Sequence, residues 1–345
     1  MDRPLMNRVL VPLALNGAAP VLGAQVHGLD GQTMGTTWQV RWSTNHAAVS
    51  AERVKAGVQE ELDRVVEQMS AWLPGSDLDR FNRASAGTQH TVPEAMAEVL
   101  QAACWLADVS GGAFNPAAGA LVNLWGFGPS PRYTDPGFAP PTDEAVRHAL
   151  ARVDWRALRW DAANSQAHQP GGVLLDFSAI AKGYAVDRVS QRLSAMGLPH
   201  TLVDVGGELR GHGLRPGGQP WWVDLESPPV AQGQRPLPTT RVALHGLSVA
   251  TSGDYRRVFV RDGARWPHTI DSRTGRPLAN GLASVSVLHA ECLWADAWST
   301  ALTVLGREEG VALASAHGIA ALFVQRERDG QLTETLTPAM QELAE

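Results

Sequence analysis

The stretch Asp176-Phe177-Ser178-Ala179-Ile180-Ala181-Lys182-Gly183-Tyr184 leads from an apolar segment into the start of a helix. The apolar segment, Val173 to Phe177, is predicted to be a strand. Lys182 is one of only two lysines among the 29 lysine and arginine residues of the chain. Backbone N–H groups at a helix N-terminus are unpaired, and a lysine there adds a mobile positive charge. The stretch therefore predicts an anion-binding helix start, with drift in lysine usage as the alternative.

The segments on either side of this stretch predict the fold class. A helix is predicted from Ser50, with its apolar face at Val54, Val58, Leu62, Val65, Val66 and Met69. Strands are predicted at Thr36 to Trp42, Thr201 to Val205, Trp221 to Leu225, Val242 to Leu244, Val258 to Arg261, Ser284 to Leu288 and Ala320 to Gln325. Because strands come in runs, the order favours one large α+β domain, with a mainly antiparallel sheet flanked by helices, over a doubly wound fold.

The composition limits the classes of function. Of the 345 residues, 44% are hydrophobic and 19% charged, which is ordinary for a globular protein with a sizeable core. The net charge is −6 and no run of basic residues occurs, so the sequence predicts no nucleic-acid partner. Cys104 and Cys292 are isolated and are predicted to be buried free thiols, with a disulfide between them as the alternative.

The N-terminal segment, residues 1–28, resembles a weak secretory signal. Arg3 and Arg8 precede an apolar stretch from Val9 to Leu15, and small residues follow as far as Ala24. Pro12 interrupts the apolar stretch, which weakens the match. If the segment is a signal, the protein is periplasmic or faces the inner membrane; otherwise it is cytoplasmic. No apolar run is long enough to predict a membrane-spanning helix.

A second segment, Leu293 to Leu302, is apolar on all sides, which predicts a buried helix. Asp296 and Thr300 lie four residues apart and therefore share a face of that helix. A carboxylate and a hydroxyl form an oxygen pair suited to Mg²⁺, which takes few protein ligands and leaves room for phosphate oxygens. Spacing alone favours the simpler alternative, in which Asp296 bonds the Thr300 hydroxyl or pairs with a buried arginine.

Several turns rich in polar or small residues complete the candidate site. His268 and Asp271 precede a tight turn, where they are candidates for a base or a phosphate contact. The alternative, which the sequence favours for Asp271, is that its carboxylate caps the backbone of its own turn. The turns at Gly112 to Pro116 and Thr251 to Tyr255 suit the close approach of a ligand or are plain turns. Together these features indicate a phosphate-bearing ligand with Mg²⁺.

These residues occur in an order that resembles the FAD:protein FMN transferase family, the ApbE-type flavin transferases. The matching series, which runs from Thr33 to about Gly306, comprises Met34-Gly35-Thr36, Met69-Ser70, Ser76-Asp77-Leu78, Phe81-Asn82, Asn115-Pro116, Leu124-Trp125-Gly126-Phe127-Gly128, Ala179 to Asp187, Gly206-Gly207, Ser252-Gly253-Asp254-Tyr255, His268 with Asp271, Thr274-Gly275, and Ala295-Asp296 with Ser299-Thr300. The resemblance implies an ApbE-like, T-fold-related domain over residues 29–340, with FAD in a cleft.

The resemblance also implies an activity and its partners. Enzymes of this family split FAD and transfer FMN through a phosphoester to a threonine, or sometimes a serine, of a target protein. AMP leaves, and Mg²⁺ is required. The implied partners are FAD and target flavoprotein subunits of the redox-pump or respiratory type, which include membrane-associated proteins.

Roles for individual residues follow from the same resemblance. The implied metal ligands are the side chains of Asp296 and Thr300 and the backbone carbonyl of Ala179. The implied FAD-binding residues are Met34, Ser70, Ala71, Trp72, Asn115, Lys182, Ser252, Gly253 and His268. His268, Lys182 and Asp271 form the implied catalytic set. Lys182 would contact the diphosphate and His268 the reacting phosphate, and both His268 and Asp271 are candidates for the base.

The chain departs from the usual family pattern at four positions. Asn115 stands where an aspartate is common, Ala117 where a threonine is common, Ala71 replaces a frequent threonine, and Ser178 replaces a frequent glycine, which is a harmless change. Loss of the carboxylate at position 115 predicts altered contacts with the flavin or the adenine. The departures at Asn115 and Ala117 motivate one alternative, a non-catalytic FAD-binding or flavin-delivery protein for a partner enzyme. A second alternative is an FAD pyrophosphatase that uses water as the acceptor and produces FMN and AMP.

Overall fold

The structure, a computed structural model, describes residues 7–12, 14, 20, 23–44, 49–230, 234, 236–254, 258–261 and 263–344. Its strands are β1 (Arg8–Leu10), β2 (Gln25–Thr33), β3 (Thr36–Thr44), β4 (Gln89–Thr91), β5 (Trp160–Asp161), β6 (Gln166–His168), β7 (Thr201–Val205), β8 (Glu208–His212), β9 (Trp221–Asp224), β10 (Thr240–Leu244), β11 (Leu247–Gly253), β12 (Val258–Arg261), β13 (Ala264–Pro267), β14 (Ile270–Asp271), β15 (Arg276–Pro277), β16 (Leu282–His289), β17 (Ala320–Arg326) and β18 (Leu332–Leu336). Its helices are α1 (Ala51–Met69), α2 (Asp77–Asn82), α3 (Glu94–Val109), α4 (Gly119–Leu124), α5 (Asp143–Leu150), α6 (Ala181–Ala195), α7 (Cys292–Ala316) and α8 (Pro338–Gln341).

These elements group into two compact units. Unit 1 consists of Met1–Asp63, Lys182–Gly253 and Gly281–Glu345, and unit 2 consists of Arg64–Ala181 and Asp254–Asn280. Unit 1 contains an eight-stranded sheet in the order β18-β17-β16-β11-β8-β7-β3-β2, in which every neighbouring pair is antiparallel. The predicted α+β class with a mainly antiparallel sheet is therefore confirmed.

A tight hairpin joins the last two strands of this sheet. Thr33 of β2 pairs with Thr36 of β3, so the loop consists only of Met34 and Gly35. Their φ angles are 50° and 71°, as a type I′ turn requires. Gly31 of β2 lies against the indole ring of Trp38, where a Cβ atom would stand 2.6 Å from a ring carbon. The side chain of Trp38 is fully buried, which explains why β2 has a glycine there.

Helix α7 packs against β11, β16 and β17 of the large sheet. Its first half is apolar on all sides, as the sequence predicts, and Trp298, Ala301 and Leu302 are buried. Gly306 interrupts the helix with φ 82° and ψ 177°, a conformation that residues with a side chain rarely adopt. Helix α7 is thus a mostly buried segment from Cys292 to the kink, followed by a shorter segment. Every helix of the described residues is too short or too polar to span a lipid bilayer.

The strand β1 lies within the segment that resembles a secretory signal. It pairs with β10 in a small three-stranded sheet of unit 1. Leu10 is 1% exposed and packs in a core cluster with Leu244 and Met340. The guanidinium of Arg8 forms an ion pair with Glu334 at 2.8 Å. Residues 1–6, 13, 15–19 and 21–22 lie outside the described residues, and the signal remains a prediction.

Unit 2 is built from short helices and small antiparallel sheets. Residue type and spacing predict helix N-caps at Ser76, which Asp79 follows three residues later, and at Thr142, which precedes Asp143-Glu144. Both caps are confirmed: Ser76 accepts a hydrogen bond from the Asp79 N–H at 2.9 Å, and Thr142 accepts one from the Ala145 N–H at 3.2 Å. A core cluster contains Leu121, Trp125, Val146, Val153 and Ile270. The indole N–H of Trp125 donates to the Gly275 carbonyl at 2.8 Å, which ties α4 to the turn after β14.

Three sequence-based expectations differ from the structure. Both cysteines are free, but Cys104 is only partly buried, whereas Cys292 is buried as predicted. Val173 to Phe177 does not form a strand, because only Leu174 makes an isolated bridge, with Ala118. Thr251 to Gly253 does not form a turn but is the end of strand β11, which pairs with β16. Whether a segment forms a strand depends on a partner that lies far away in sequence. The end of β11 has such a partner in β16, whereas Leu174 has only the single bridge to Ala118. The local sequence pattern does not show this difference.

We predict that Leu10→Ala lowers the free energy of unfolding by about 2–5 kcal/mol, because it leaves a cavity in the core of unit 1. Asn7→Ala, at the exposed position just before β1, should change it by less than about 0.5 kcal/mol. Urea unfolding of both variants provides the measurement. Equal effects of the two substitutions would mean that β1 is not packed in the core.

Candidate active site

Lys182 occupies the first turn of α6, which begins at Ala181. Its ammonium group forms an ion pair with the carboxylate of Glu208, a buried residue of β8. Burial lowers the pKa of Lys182, but the negative charges of Asp296 and Glu208 outweigh this effect and raise it. The predicted helix-start lysine is therefore a charged group, held beside two buried carboxylates of unit 1.

The carboxylate of Asp296 lies against the same helix start. Its Oδ2 accepts a hydrogen bond from the Gly183 N–H at 3.0 Å, and the residue is only 4% exposed. Burial raises the pKa of Asp296, and the charge of Lys182 and the Gly183 N–H oppose that rise only in part. A carboxylate in this position gains stability from any further cation that reaches it.

The contact between α6 and α7 depends on the absence of a side chain at Gly183. A Cβ atom there would stand 2.3 Å from the Cys292 carbonyl oxygen and 2.7 Å from the Cβ of Asp296. Glycine therefore allows the backbone of α6 to approach α7 closely enough for its N–H to reach Asp296.

A chain of hydroxyl groups continues from Asp296 along α7. Thr300 lies one turn further on and is partly exposed, whereas Asp296 and Ser299 are buried. The Ser252 Oγ lies 2.7 Å from the Ser299 Oγ and 3.2 Å from the Thr300 Oγ1. Strand β11 thus brings Ser252 to the Thr300 hydroxyl, and Gly253 follows as its buried last residue.

Met34 is the remaining residue of unit 1 that the resemblance assigns to FAD binding. It lies in the hairpin turn between β2 and β3, half buried, with φ 50°. A left-handed conformation at a residue other than glycine, asparagine or aspartate is uncommon and is often found at functional sites.

In unit 2, Ser70 and Trp72 form a short turn after α1. The Ser70 hydroxyl accepts hydrogen bonds from the N–H groups of Trp72 and Leu73, each at 3.1 Å. The Trp72 side chain is 46% exposed, and the Arg132 guanidinium lies 4.9 Å from its ring centroid. Ala71 between them is half buried. An exposed aromatic face beside a guanidinium suits stacking against a flat ring.

Asn115, one of the departures from the family pattern, uses its side-chain amide within unit 2. Its Nδ2 donates to the Val153 carbonyl at 2.8 Å and to the Ser272 Oγ at 3.2 Å, while its Oδ1 accepts from the Ala117 N–H at 2.8 Å. An aspartate has no N–H to donate to Val153 or Ser272. Asparagine at this position therefore links its own turn to the turn that contains Ser272.

Asp271 and His268 lie close together in sequence but have different surroundings. Both oxygens of the Asp271 carboxylate accept hydrogen bonds from the Arg273 guanidinium at 2.9 Å, and Oδ1 also accepts from the Arg273 N–H at 2.8 Å. The Asp271 side chain thus stabilises its own turn, the alternative that the sequence favours. His268 is half buried, with its ring edge-on to Phe127 at 6.3 Å between centroids.

The structure brings some of the predicted residues together within each unit. In unit 1 it links Lys182, Asp296, Thr300 and Ser252, and in unit 2 it links Asn115 to the turn that follows Asp271. Ala179 lies in the turn that precedes α6. Tyr255 lies outside the described residues.

The described residues contain no group of three or more His, Cys, Asp or Glu side chains placed to hold a metal ion.

Sequence analysis assigned no role to three charged residues of the site, Glu208, Arg210 and Asp187, although Asp187 ends the matching series from Ala179. Glu208 and Arg210 lie on one face of β8, where they pair with Lys182 and with Asp187 of α6. Strand β8 is not predicted, because its five residues include a glycine, a histidine and two charged residues. The one available signal was Gly206-Gly207, which indicated a turn and hence a strand after it.

We predict that Gly183→Ala lowers the free energy of unfolding by about 1–3 kcal/mol, because its methyl group meets the backbone of α7. The matched control is Gly57→Ala in α1. A Cβ atom at position 57 would meet only the ends of the Met196 and Arg192 side chains, at 3.1 and 3.3 Å. Urea unfolding should show a loss for Gly183→Ala and none for Gly57→Ala. A stable Gly183→Ala variant would contradict the close approach of the two helices.

Comparison with known proteins gives a consistent assignment. A sequence model of the ApbE family matches residues 34–323. A protein of Vibrio cholerae named FAD:protein FMN transferase is 35% identical over 309 residues, which cover 89% of this chain and 89% of that protein. A protein of the same name from Escherichia coli K12 is 32% identical over 311 residues, covering 88% and 86%.

Solved structures show the same relationship. The apo form of the flavinyl transferase ApbE of Pseudomonas stutzeri is 39% identical, with a TM-score of 0.83, and the match covers 93% of this chain and 97% of that one. The flavin transferase ApbE of Vibrio cholerae is 33% identical, with a TM-score of 0.84 and coverage of 93% and 99%. Sequence and fold agree over nearly the whole chain, and the protein belongs to the ApbE family.

Proposed function

We propose that this protein is a Mg²⁺-dependent transferase that moves FMN from FAD to a threonine or serine hydroxyl of a target protein. The curated relatives that match over most of this chain are named FAD:protein FMN transferase. The observation that carries the proposal is the charge group of unit 1, in which the half-buried ammonium of Lys182 lies beside the buried carboxylates of Asp296 and Glu208. One excess negative charge in a buried site suits a divalent cation.

The donor atoms of unit 1 fit Mg²⁺. Asp296 offers a carboxylate, Thr300 offers a hydroxyl one turn away, and oxygen is the ligand that Mg²⁺ prefers. The resemblance adds the Ala179 carbonyl to this set. A Mg²⁺ ion bound there would neutralise charge on the diphosphate of FAD.

The chain's own residues supply the other parts of the reaction. Phosphoryl transfer depends on positioning and charge stabilisation more than on covalent chemistry. The acceptor oxygen forms a bond to the phosphorus of the FMN half, the bond from that phosphorus to the bridging oxygen breaks, and AMP leaves with the bridging oxygen. Lys182 stabilises the negative charge of the diphosphate during this step. We assign to His268 the removal of the hydroxyl proton, because the Asp271 carboxylate is engaged by Arg273.

We assign the remaining candidate residues to binding FAD. These residues are Met34, Ser70, Ala71, Trp72, Asn115, Ser252 and Gly253. The hydrogen bonds of Asn115 to Val153 and Ser272 give its amide a structural role that an aspartate could not fill. Because asparagine makes contacts here that an aspartate could not make, its presence does not indicate a loss of function. This favours the transferase over a non-catalytic flavin carrier.

The target proteins and the cellular location are also proposals. The targets are flavoprotein subunits of the redox-pump or respiratory type, and some of them are membrane-associated. The site of action is the periplasm if residues 1–28 act as a signal, and the cytoplasm otherwise.

The test combines the full chain, FAD, Mg²⁺ and a target domain that carries an acceptor threonine. We expect a covalent FMN adduct in the intact mass of the target and one AMP released per adduct. Asp296→Ala and Lys182→Ala should each reduce the rate by about 100-fold or more, because each removes charge stabilisation of the diphosphate. Lys55→Ala, which removes the only other lysine from an exposed position on α1, should leave the rate unchanged.

Three outcomes would contradict the proposal or the roles it assigns. Release of AMP without an adduct on several targets would indicate an FAD pyrophosphatase. Tight FAD binding with neither product would indicate a flavin-delivery protein. Full activity of Asp296→Ala or Lys182→Ala would show that the assigned roles are wrong.

A further inference from the structure

Helix α7, which carries Asp296 and Thr300, receives its N-terminal cap from another helix. Its own N-cap residue, Glu291, makes no side-chain capping hydrogen bond. Instead the carboxylate of Asp187 in α6 accepts the Cys292 N–H on Oδ1 and the Leu293 N–H on Oδ2, both at 2.9 Å. A carboxylate at a helix N-terminus satisfies unpaired N–H groups and interacts favourably with the helix dipole.

A third element holds the Asp187 carboxylate in place. The guanidinium of Arg210 in β8 forms an ion pair with Asp187 Oδ1, and the two side chains are 18% and 8% exposed. Glu208 lies two residues before Arg210, so both side chains are on one face of β8. Two ion pairs of opposite polarity therefore fix α6 to β8: Lys182 with Glu208, and Asp187 with Arg210.

The proposed metal ligands lie on the same helix as this cap, so the position of the capped end determines where they lie. Asp296 follows Cys292 by four residues, and Thr300 follows Asp296 by four, so they lie one and two turns beyond the capped end. The Gly183 N–H, which donates to the Asp296 carboxylate, makes a further polar contact between α6 and α7. The contacts at Asp187 and at Gly183 together determine where Asp296 stands relative to Lys182.

We propose that Asp187, held by Arg210, is a positioning residue that aligns Asp296 and Thr300 for a divalent cation. This inference rests on the proposed function, since it assumes that Asp296 and Thr300 bind the metal. In this proposal Asp187 is not itself a ligand of the cation. Residues that orient metal ligands change metal affinity by about 10- to 100-fold when they are removed.

The experiment measures the binding of Mn²⁺, a spectroscopic substitute for Mg²⁺, to the full chain without FAD. Binding is followed by the loss of the free-Mn²⁺ electron paramagnetic resonance signal, at a temperature where every variant is folded. We expect Asp187→Ala to weaken Mn²⁺ binding by about 10-fold or more. Asp187→Asn should lose less, because its amide oxygen still accepts one of the two N–H groups.

Two further variants separate positioning from general stability. Arg210→Gln removes the ion pair but keeps the Asp187 cap, and should weaken Mn²⁺ binding to a smaller extent. Thr142→Ala removes a helix cap of the same kind from α5 in unit 2. It should lower the Tm without changing the dissociation constant for Mn²⁺. If Asp187→Ala does not fold, Asp187→Asn and Arg210→Gln decide the question.

The outcomes distinguish failure of this inference from failure of the proposed function. Wild-type Mn²⁺ affinity in the folded Asp187 variants, together with no binding by Asp296→Ala, overturns the positioning role and leaves the metal site standing. If wild-type protein does not bind Mn²⁺, or if Asp296→Ala binds it equally well, the proposed metal site is wrong and the positioning role falls with it.

Discussion

The close approach of α6 to α7 at Gly183 is the constraint on which the charged site of unit 1 depends. Without a side chain at this position, the backbone of α6 can donate a hydrogen bond to the Asp296 carboxylate at 3.0 Å. The same approach places the charge of Asp296 close enough to act on Lys182. A buried carboxylate beside a lysine, with only partial compensation, is costly unless it serves a further cation.

The surrounding contacts explain how the chain maintains this arrangement. Helix α7 is apolar along its buried half, so hydrophobic packing against β11, β16 and β17 holds it on the sheet. Packing alone does not fix the position of a helix along its axis, because apolar contacts are not directional. The hydrogen bonds of Asp187 and Gly183 are directional, and they supply that position.

The sequence predicts the parts of the site that depend on local pattern. The first turn of α6, the buried face of α7 and the caps at Ser76 and Thr142 follow from spacing and residue type, and the structure contains each of them. Contacts between distant segments are not predicted. The pairing of Lys182 with Glu208 and the hydrogen bond from Asn115 to Val153 join residues whose neighbours in sequence give no indication of the partner.

In the proposed mechanism, Asp296 and its neighbours bind a divalent cation together with the diphosphate of FAD. The most direct measurement is the affinity for FAD, followed by flavin fluorescence, with and without Mg²⁺, and compared with riboflavin, which has no phosphate. We expect Mg²⁺ to tighten FAD binding by about 5-fold or more, to leave riboflavin binding unchanged, and to have no effect on FAD binding by the Asp296→Asn variant. An FAD affinity of the wild-type protein that is the same with and without Mg²⁺ would contradict this mechanism.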